Sequence, residues 1–332
     1  MKIGRTLWGA GTFAYHAAYN TLARKAPRWA QALQRATGDT GRGKRCVGGP
    51  AADYFYAVFN DFESIARHAG AISSAESLYK GKTILEYGPG DTLSVPVLAL
   101  AEGATQVEAF DAFDIQSRDH AYLEAIYGPL LAKAGHAARS ADGLSLHRSC
   151  TMHNSLESLE RAGKRFDVVL SRAVLEHVRD LDGLFASMVR IMKDDGIAVH
   201  EIDLRSHGVE HSHPLDFLTF SKGKWDAMSS HIDLPNRVRA KEVLDLAERH
   251  GSRVVFAAVS HKLRPGYASS VRPSLDATFQ ACSEEELSIL GMWFVQVGPK
   301  HPLYRREGLQ LHELPRAPKE KLSTYSGVTD IP

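Results

Sequence analysis

Residues 84–94 read Ile-Leu-Glu-Tyr-Gly-Pro-Gly-Asp-Thr-Leu-Ser, a short apolar run that ends in an acid and is followed by two glycines. This order is typical of a buried parallel strand that turns sharply into a helix. Gly88 and Gly90 carry no Cβ atom, so a ligand can approach the backbone of the turn closely. The stretch therefore predicts an α/β fold with a ligand site at the carboxyl end of its first strand.

A second predicted strand, residues 106–110, ends in Asp111, where an acid can accept hydrogen bonds from the two hydroxyls of a ribose. Two nucleoside cofactors fit an acid in this place, a dinucleotide and S-adenosylmethionine. The dinucleotide fingerprint requires a third glycine where this chain has Leu93. Asp91 would also repel a pyrophosphate, while Glu86 at the strand end can attract an ammonium group. These features favour S-adenosylmethionine.

Three stretches resemble the class I S-adenosylmethionine-dependent methyltransferases. Residues 85–91 resemble the first motif of that family, Asp111 its second acidic position, and residues 166–178 its fourth strand and the following loop. The resemblance covers roughly residues 80–300. It implies a doubly wound, seven-stranded, mostly parallel sheet of the Rossmann-like methyltransferase fold, and an enzyme that uses S-adenosylmethionine.

The resemblance also implies a set of cofactor contacts at the carboxyl ends of the strands. We expect Glu86 near the methionine ammonium, Gly88 and Gly90 beside the carboxypropyl arm, Asp111 on the ribose, Phe113 and Met152 near the adenine, and Ser171 near the ammonium. Met152 is assigned because the third strand lacks the acid that many relatives have after it.

Composition indicates a soluble globular protein of 332 residues, with 44% hydrophobic and 24% charged residues. No apolar run approaches the roughly 18–20 residues that span a bilayer, and no cleavable secretory signal stands out. Cys46, Cys150 and Cys282 lie far apart without metal-ligand spacing, which is typical of reduced thiols. We therefore expect a cytoplasmic protein.

The first 45 residues carry nine Lys or Arg and one acid, a net charge of +8, so the remainder carries −7 of the total of +1. This segment is predicted to be helical and contains several aromatic residues. Its favoured interpretation is a helical cap with a solvated basic face. Peripheral contact with an anionic membrane, at its inner face, is the alternative. We expect no nucleic-acid partner.

Three regions are predicted along the chain: an N-terminal helical cap (1–79) with a glycine-rich linker near 38–50, a methyltransferase domain (80–300), and an extended C-terminal tail (301–332). Strands are predicted at 82–87, 106–111, 144–149, 166–171, 196–203, 252–260 and 291–297. Helices are predicted at 92–102, 116–135, 153–162, 180–192 and 236–250. The long insertion after the fifth strand, residues 204–235, is predicted to be a lid.

Two segments offer a histidine at the carboxyl edge of the sheet, where ligands of such sheets bind. One is Glu176-His177 after the fourth strand, and the other runs from the fifth strand into the lid, ending at His207. A hydroxyl or amine acceptor needs a proton acceptor near neutral pKa, and histidine fits that need. His177 and His207 are therefore the catalytic candidates. The alternatives are a structural hydrogen bond for His177 and an exposed loop position for His207.

The lid supplies candidates for the substrate. Because side chains alternate along a strand, Asp203 and Arg205 should share one side with His207. Trp225 can stack on a sugar ring, and Arg237 can hold a carboxylate or phosphate. Aromatics in the core of the lid and arginines in surface pairs are the alternative interpretation.

The sequence around the lid resembles a bacterial methyltransferase subgroup associated with surface-polysaccharide synthesis. We therefore expect O-methylation of a sugar, a glycan terminus or another polar small molecule. The alternative is a non-catalytic subunit of the same fold that binds cofactor or glycan. A metal held by His207, His211, His213 and Asp216 is the less favoured option, because metal-using methyltransferases usually present carboxylates and an amide, so no metal is expected.

Overall fold

The structure is a computed structural model. It describes residues 2–26, 29, 48–113, 115–161, 163–207, 209, 213–231, 234–305, 309, 314 and 315, with side chains from residue 9 onward.

Within these residues, seven strands form one sheet in the order β3-β2-β1-β4-β5-β7-β6. The strands are β1 (Thr83–Tyr87), β2 (Gln106–Phe110), β3 (Thr151–His153), β4 (Phe166–Arg172), β5 (Met192–Asp203), β6 (Arg253–Lys262) and β7 (Ile289–Val297). Strands β1 to β5 are parallel, and β7 runs antiparallel between β5 and β6. The predicted mostly parallel, doubly wound sheet is confirmed.

Helices connect and cover these strands. In chain order they are α1 (Lys2–Lys25), α2 (Gly49–His68), α3 (Ser94–Ala101), α4 (His120–Lys133), α5 (Gly143–Ser149), α6 (Leu156–Arg161), α7 (Leu181–Ile191), α8 (Lys222–Ser229), α9 (Ala240–Arg249), α10 (Tyr267–Val271), α11 (Ala277–Gln280) and α12 (Glu284–Ser288). Short 3-10 turns lie at Ala137–Asp142, Leu175–His177, Asp216–Thr219, Arg272–Ser274 and Pro302–Arg305.

The prediction for the third strand is wrong. Residues 144–149, predicted as a strand, belong to helix α5, and β3 follows at Thr151–His153. A short apolar alternation does not separate a strand from a helical turn. Tertiary packing decides the outcome here, since a Cβ atom at Gly143 would lie 2.5 Å from the Cβ of Tyr127. Glycine thus lets α5 pack closely on α4.

Two hydrophobic clusters cover the two faces of the sheet. On one face, α2, α3 and α4 bury their apolar sides, and Phe62 of α2 meets Trp293 of β7 edge to face, with ring centroids 5.7 Å apart. On the other face, α7 and α9 pack against the sheet, as shown by Phe185 and Val243. Helix α2, which we predicted as part of a cap, therefore belongs to one of the two layers that bury the sheet.

A third cluster lies apart from the sheet core, and we call it the lid cluster. It combines residues of the insertion after β5, such as Phe217 and Trp225, with residues between β6 and β7, such as Leu275 and Phe279. The helices of the β6–β7 connection were absent from the sequence prediction. Because each segment is short, the apolar residues of one can be buried only against those of the other.

Helix α1 docks on the lid through the buried side chain of Asn20, and its partly buried Phe13 packs against the lid cluster. The side-chain amide of Asn20 donates to the carbonyl of Ala227 (2.8 Å) and to Ser230 Oγ (3.0 Å), and its oxygen accepts from the backbone of His231 (2.6 Å). Membrane contact of this helix stays a prediction. Within the described residues, no helix combines the length and apolarity that a membrane crossing requires.

The ends of the chain are described in part. Leu314 packs partly against the sheet core, and the amide of Val259 in β6 donates to the carbonyl of Pro315 (2.8 Å). Residues 316–332 of the predicted tail, the linker before Gly48, Cys46 and His211 lie outside the described residues. The boundaries of the three predicted regions stay predictions.

Candidate active site

The turn after β1 forms a cradle made of backbone. Gly88 has φ 63° and Gly90 φ 76°, a region that residues with a side chain rarely adopt. A Cβ atom at Gly88 would also lie 2.3 Å from Val174 Cγ2. The amide of Gly88 donates to the carbonyl of Phe110 (2.7 Å), which ties the turn to the end of β2. Both a left-handed backbone and a close approach therefore require glycine at position 88.

Buried carboxylates surround this cradle at the carboxyl ends of β1 and β2. Glu86, Asp91 and Asp111 are all less than one tenth exposed. Asp111 Oδ1 accepts from the backbone amide of Phe113 (2.9 Å), and Tyr122 Oη donates to Asp91 Oδ2 (3.0 Å). The orientations of the Asp91 and Asp111 carboxylates are thus set by neighbouring protein groups. We call the region of Glu86, Gly88, Gly90, Asp91 and Asp111 the cofactor edge.

The remaining predicted cofactor residues lie along the same side of the sheet. Met152 is paired with Ala109 in the middle of β3 and is half-buried. Phe113 is 54% exposed in the turn after β2. Ser171 near the end of β4 is fully buried, and its hydroxyl shares a hydrogen bond of 2.7 Å with His200 Nδ1. Burial lowers the pKa of His200 to about 3, so this imidazole is neutral.

These observations fit S-adenosylmethionine. The open backbone of Gly88 and Gly90 admits an extended ligand, and the acids at the ends of β1 and β2 suit an ammonium group and a ribose. A pyrophosphate would instead face the buried carboxylate of Asp91. The chemistry of the cofactor edge thus matches a zwitterionic amino-acid group better than a dinucleotide.

A strained turn follows β4 and presents the next group of residues. Ala173 has φ 51°, which costs of order 1–3 kcal/mol for a residue that is not glycine. Its amide donates to the carbonyl of Glu201 on β5 (3.1 Å). The turn Leu175–His177 is held from the lid side, because the amide of Asn236 donates to the carbonyl of Glu176 (2.6 Å). The end of the lid thus positions this turn.

The structure brings His177 and His207 together although they are 30 positions apart in the chain. Their ring centroids are separated by 5.0 Å at an interplanar angle of 45°. His207 Nε2 lies 3.5 Å from Asp203 Oδ2, and both imidazoles are partly exposed. The two predicted catalytic candidates therefore face one space at the carboxyl ends of β4 and β5. We call the region of Glu176, His177, Asp203 and His207 the acceptor edge.

Glu176 was not among the predicted site residues, although it directly precedes His177. Its side chain is 1% exposed, and neither carboxylate oxygen accepts a hydrogen bond from the described residues. His177 Nε2 is its nearest ion-pair partner at 3.9 Å. Burial raises the pKa of Glu176 well above the usual range, against the lowering effect of nearby His207. The acid beside the histidine was the signal that could have identified it.

The other two carboxylates near the acceptor edge are each paired with an arginine. Arg205 Nη2 donates to Asp203 Oδ2 (2.6 Å) and Arg205 Nε to Asp203 Oδ1 (2.9 Å), a bidentate pair. Burial by itself would raise the pKa of Asp203, but hydrogen bonds from Arg205 and His207 lower it well below the usual range. Arg172 Nε lies 2.7 Å from Glu201 Oε2. The predicted substrate residues Asp203 and Arg205 therefore bind each other.

Trp225 and Arg237 are placed differently from the substrate contacts that we predicted for them. The indole of Trp225 is 1% exposed in the lid cluster, and its Nε1 donates to the carbonyl of Pro235 (3.0 Å). The guanidinium of Arg237 lies over the Trp225 ring at 5.2 Å and donates to the carbonyl of Phe220 (2.6 Å). Stacking on a sugar would require Trp225 to leave this core, because its faces are covered by the lid cluster.

Of the four metal ligands considered in the sequence, the three that the structure describes do not form one group. His213 Nε2 pairs with Asp216 Oδ1 at 3.1 Å inside the lid, where both are buried, and His211 lies outside the described residues. Among the described residues, His207 is instead grouped with Glu176 and His177.

Comparison with known proteins agrees with this geometry. A family model described as a methyltransferase domain matches residues 55–256, more than half of the chain. No curated protein matches significantly.

Several solved structures are similar at low identity. One is a putative S-adenosylmethionine-dependent methyltransferase from Streptococcus mutans (11% identity, TM-score 0.33), covering 66% of this chain and 46% of that chain, so this chain spans about half of that relative. Another is a putative sarcosine dimethylglycine methyltransferase from Galdieria sulphuraria (12% identity, TM-score 0.42), covering 73% and 86%. A third is an S-adenosylmethionine-dependent methyltransferase from Mesorhizobium loti (15% identity, TM-score 0.36), covering 67% and 93%.

The family match includes β1 to β5, the glycine turn and the turn that carries His177. With the cofactor edge described above, it identifies S-adenosylmethionine as the cofactor. The chain therefore belongs to the family of methyltransferase domains.

Proposed function

We propose that this protein methylates an oxygen atom of a polar small molecule, such as a sugar or a glycan terminus. The observation that carries the proposal is the meeting of His177 and His207, with ring centroids 5.0 Å apart, at the acceptor edge. Val174, which closes on Gly88 of the cofactor edge, lies three residues before His177. The segment that packs on the cofactor cradle therefore continues directly into the turn that carries His177.

Glu86, Gly88, Gly90 and Asp111 would hold S-adenosylmethionine, which when bound supplies a methyl group activated by a sulfonium. Because the leaving group is good, the protein has mainly to align the acceptor and remove water from it. An acceptor hydroxyl must also lose a proton, and imidazole is the side chain that titrates nearest to neutral pH. His177 or His207 serves as this base or as the group that orients the acceptor.

The polar lining of the acceptor edge supports a hydroxyl-rich acceptor. Asp203 and Arg205 form a partly exposed bidentate pair beside His207, and Asp203 keeps its negative charge because its pKa is lowered. Carboxylate and guanidinium groups can bind neighbouring hydroxyls through several hydrogen bonds at once. A surface-polysaccharide precursor is the acceptor class that we propose on this basis and on the sequence resemblance.

An acceptor screen tests the proposal. The full-length chain is incubated with S-adenosylmethionine and a panel of sugars, uronic acids, nucleotide sugars and amines, and both S-adenosylhomocysteine and the methylated product are measured. We expect O-methylated products. Methylation of amines alone would contradict the proposal. Cofactor binding without any product would favour the non-catalytic subunit.

Two variants separate the edges in the same assay. Asp111→Ala should weaken cofactor binding by roughly 1–3 kcal/mol, as for a lost hydrogen bond to a charged group.

His207→Ala should lower kcat by about 100-fold or more with unchanged cofactor affinity. His250→Ala is the matched control, because His250 pairs with Asp182 at the surface. Full activity of His207→Ala would remove this residue from the mechanism.

A further inference from the structure

Three side chains of the acceptor edge form a compact cluster: Glu176, His177 and His207. One possible metal-ligand atom from each of the three side chains lies within 4.8 Å of the other two. Bonds of about 2.0–2.2 Å to a shared ion place neighbouring ligand atoms about 3–3.5 Å apart. Side-chain rotations that close the remaining gap of about 1–2 Å would therefore complete a common coordination site.

The carboxylate of Glu176 supplies a second, independent observation. It is 1% exposed, and neither oxygen accepts a hydrogen bond from the described residues. A carboxyl group buried in this way either holds a proton, as the raised pKa of Glu176 indicates, or gives the proton up when it coordinates a metal. Among the described residues, its closest ion-pair partner is His177 Nε2, which at 3.9 Å is beyond hydrogen-bond distance.

The surrounding charges strengthen this indication. Asp203 and Glu201 also act on Glu176, and each is balanced by an arginine, Arg205 and Arg172 respectively. Glu176 has no such arginine among the described ion pairs. A cation bound beside Glu176 would replace its proton and supply the balancing charge that the other two carboxylates already have.

We propose that Glu176, His177 and His207 bind a divalent first-row transition metal ion. Two imidazoles and one carboxylate suit Zn²⁺, Fe²⁺, Co²⁺ or Mn²⁺ better than Mg²⁺, which prefers oxygen ligands. Three protein ligands leave coordination positions open, as in catalytic metal sites. This inference rests on the proposed function in one respect, namely that an oxygen atom of the acceptor would occupy an open coordination position. Asp203, which lies beside His207, would orient that imidazole without binding the ion itself.

Metal titration of the full-length chain tests the proposal without any acceptor. The protein is purified in chelator, exchanged into chelator-free buffer, and titrated calorimetrically with Zn²⁺ and separately with Mg²⁺. We expect Zn²⁺ to bind at one site per chain at micromolar concentration or below, and at least about 100-fold more tightly than Mg²⁺. The Co²⁺-loaded protein should show the absorption bands in the visible range that are typical of a Co²⁺ ion with a low coordination number.

Variants locate the ion. Glu176→Gln and His207→Ala should each weaken Zn²⁺ binding at least tenfold, while His136→Ala should leave it unchanged, because His136 pairs with Glu102 outside both edges. Glu176→Gln in chelator should melt at a higher temperature than the unsubstituted protein, which shows that the variant is folded. Equal Zn²⁺ affinity in the unsubstituted chain, Glu176→Gln and His207→Ala would overturn the proposal. So would the absence of Zn²⁺ binding.

The two proposals can fail separately. S-adenosylmethionine affinity should be the same in all three variants, because the cofactor edge is built from other residues. Zn²⁺ binding with no methylated product would leave the metal site standing and overturn the proposed acceptor.

Discussion

At the cofactor edge, the carboxylates of Asp91 and Asp111 accept hydrogen bonds from Tyr122 and from the amide of Phe113. At the acceptor edge, the carboxylate of Glu176 is equally buried, yet neither of its oxygens accepts one from the described residues. Two carboxylates of the first region are thus oriented by hydrogen bonds, while the Glu176 carboxyl of the second can either hold a proton, as its raised pKa indicates, or bind a cation. The comparison shows that one sheet can combine carboxylates fixed by protein groups with one that can still accept a ligand.

The largest effect is expected where the glycine turn of the cofactor edge packs against Val174, the residue that leads into the turn of the acceptor edge. In Gly88→Ala, the new Cβ would lie 2.3 Å from Val174 Cγ2 at a backbone φ of 63°. Backbone strain and overpacking together should lower the free energy of unfolding by about 2–5 kcal/mol. Urea unfolding measures this loss, and calorimetry should show that S-adenosylmethionine affinity falls with it.

Gly81→Ala separates the two causes of that loss. Gly81 has φ 74° but nothing within 4 Å of its Cβ position, so only the backbone term of about 1–2 kcal/mol should appear. Equal losses in Gly81→Ala and Gly88→Ala would show that the contact with Val174 contributes nothing, and that the edges are not coupled there.

A smaller effect is expected from His200, which is fully buried, whereas His177 and His207 are partly exposed. It concerns how the free energy of unfolding depends on pH. Burial lowers the pKa of folded His200 from 6.5 to about 3. Between these values the unfolded chain binds a proton that the folded chain does not, so the free energy of unfolding falls as the pH falls. The slope is at most about 1.4 kcal/mol per pH unit, which gives about 2 kcal/mol between pH 6.5 and pH 5.

The matched variant for this prediction is His200→Gln, whose amide can still bond the hydroxyl of Ser171. Chemical unfolding at several pH values should show a shallower pH dependence for the variant. Identical slopes would mean that His200 accepts a proton in the folded state, and its burial between β4 and β7 would then not exclude charge.

The smallest effect concerns the support of the acceptor edge from the lid. Asn20→Ala removes three hydrogen bonds between α1 and the region around α8. We expect the free energy of unfolding to fall by about 1–2 kcal/mol, and KM for the acceptor to rise while cofactor affinity is unchanged. Thr21→Ala on the same helix is the control, because its hydroxyl donates within α1, to the carbonyl of Ala17, and to no other described residue. A matching change in cofactor affinity would show that α1 supports both edges.

Much of the sheet could be predicted from sequence because its strands are short apolar runs separated by turn signals. Six of the seven strand positions were predicted, and the exception, residues 144–149, forms a helix that packs on Tyr127 through Gly143. The helices between β6 and β7 were missed because their apolar residues have no regular period and are buried only against the lid. Such burial depends on contacts between distant segments, which periodicity does not report.

The sequence by itself determined the cofactor edge, because a strand, a glycine turn and an acid after the next strand lie within 28 residues and their chemistry is local. Only the tertiary structure decided the acceptor edge. His177 and His207 come together because β4 and β5 are adjacent, Glu176 is buried because Asn236 holds its turn, and Trp225 faces the lid core. Those placements depend on packing between segments that are distant in the chain, and packing decides which polar side chains stay accessible.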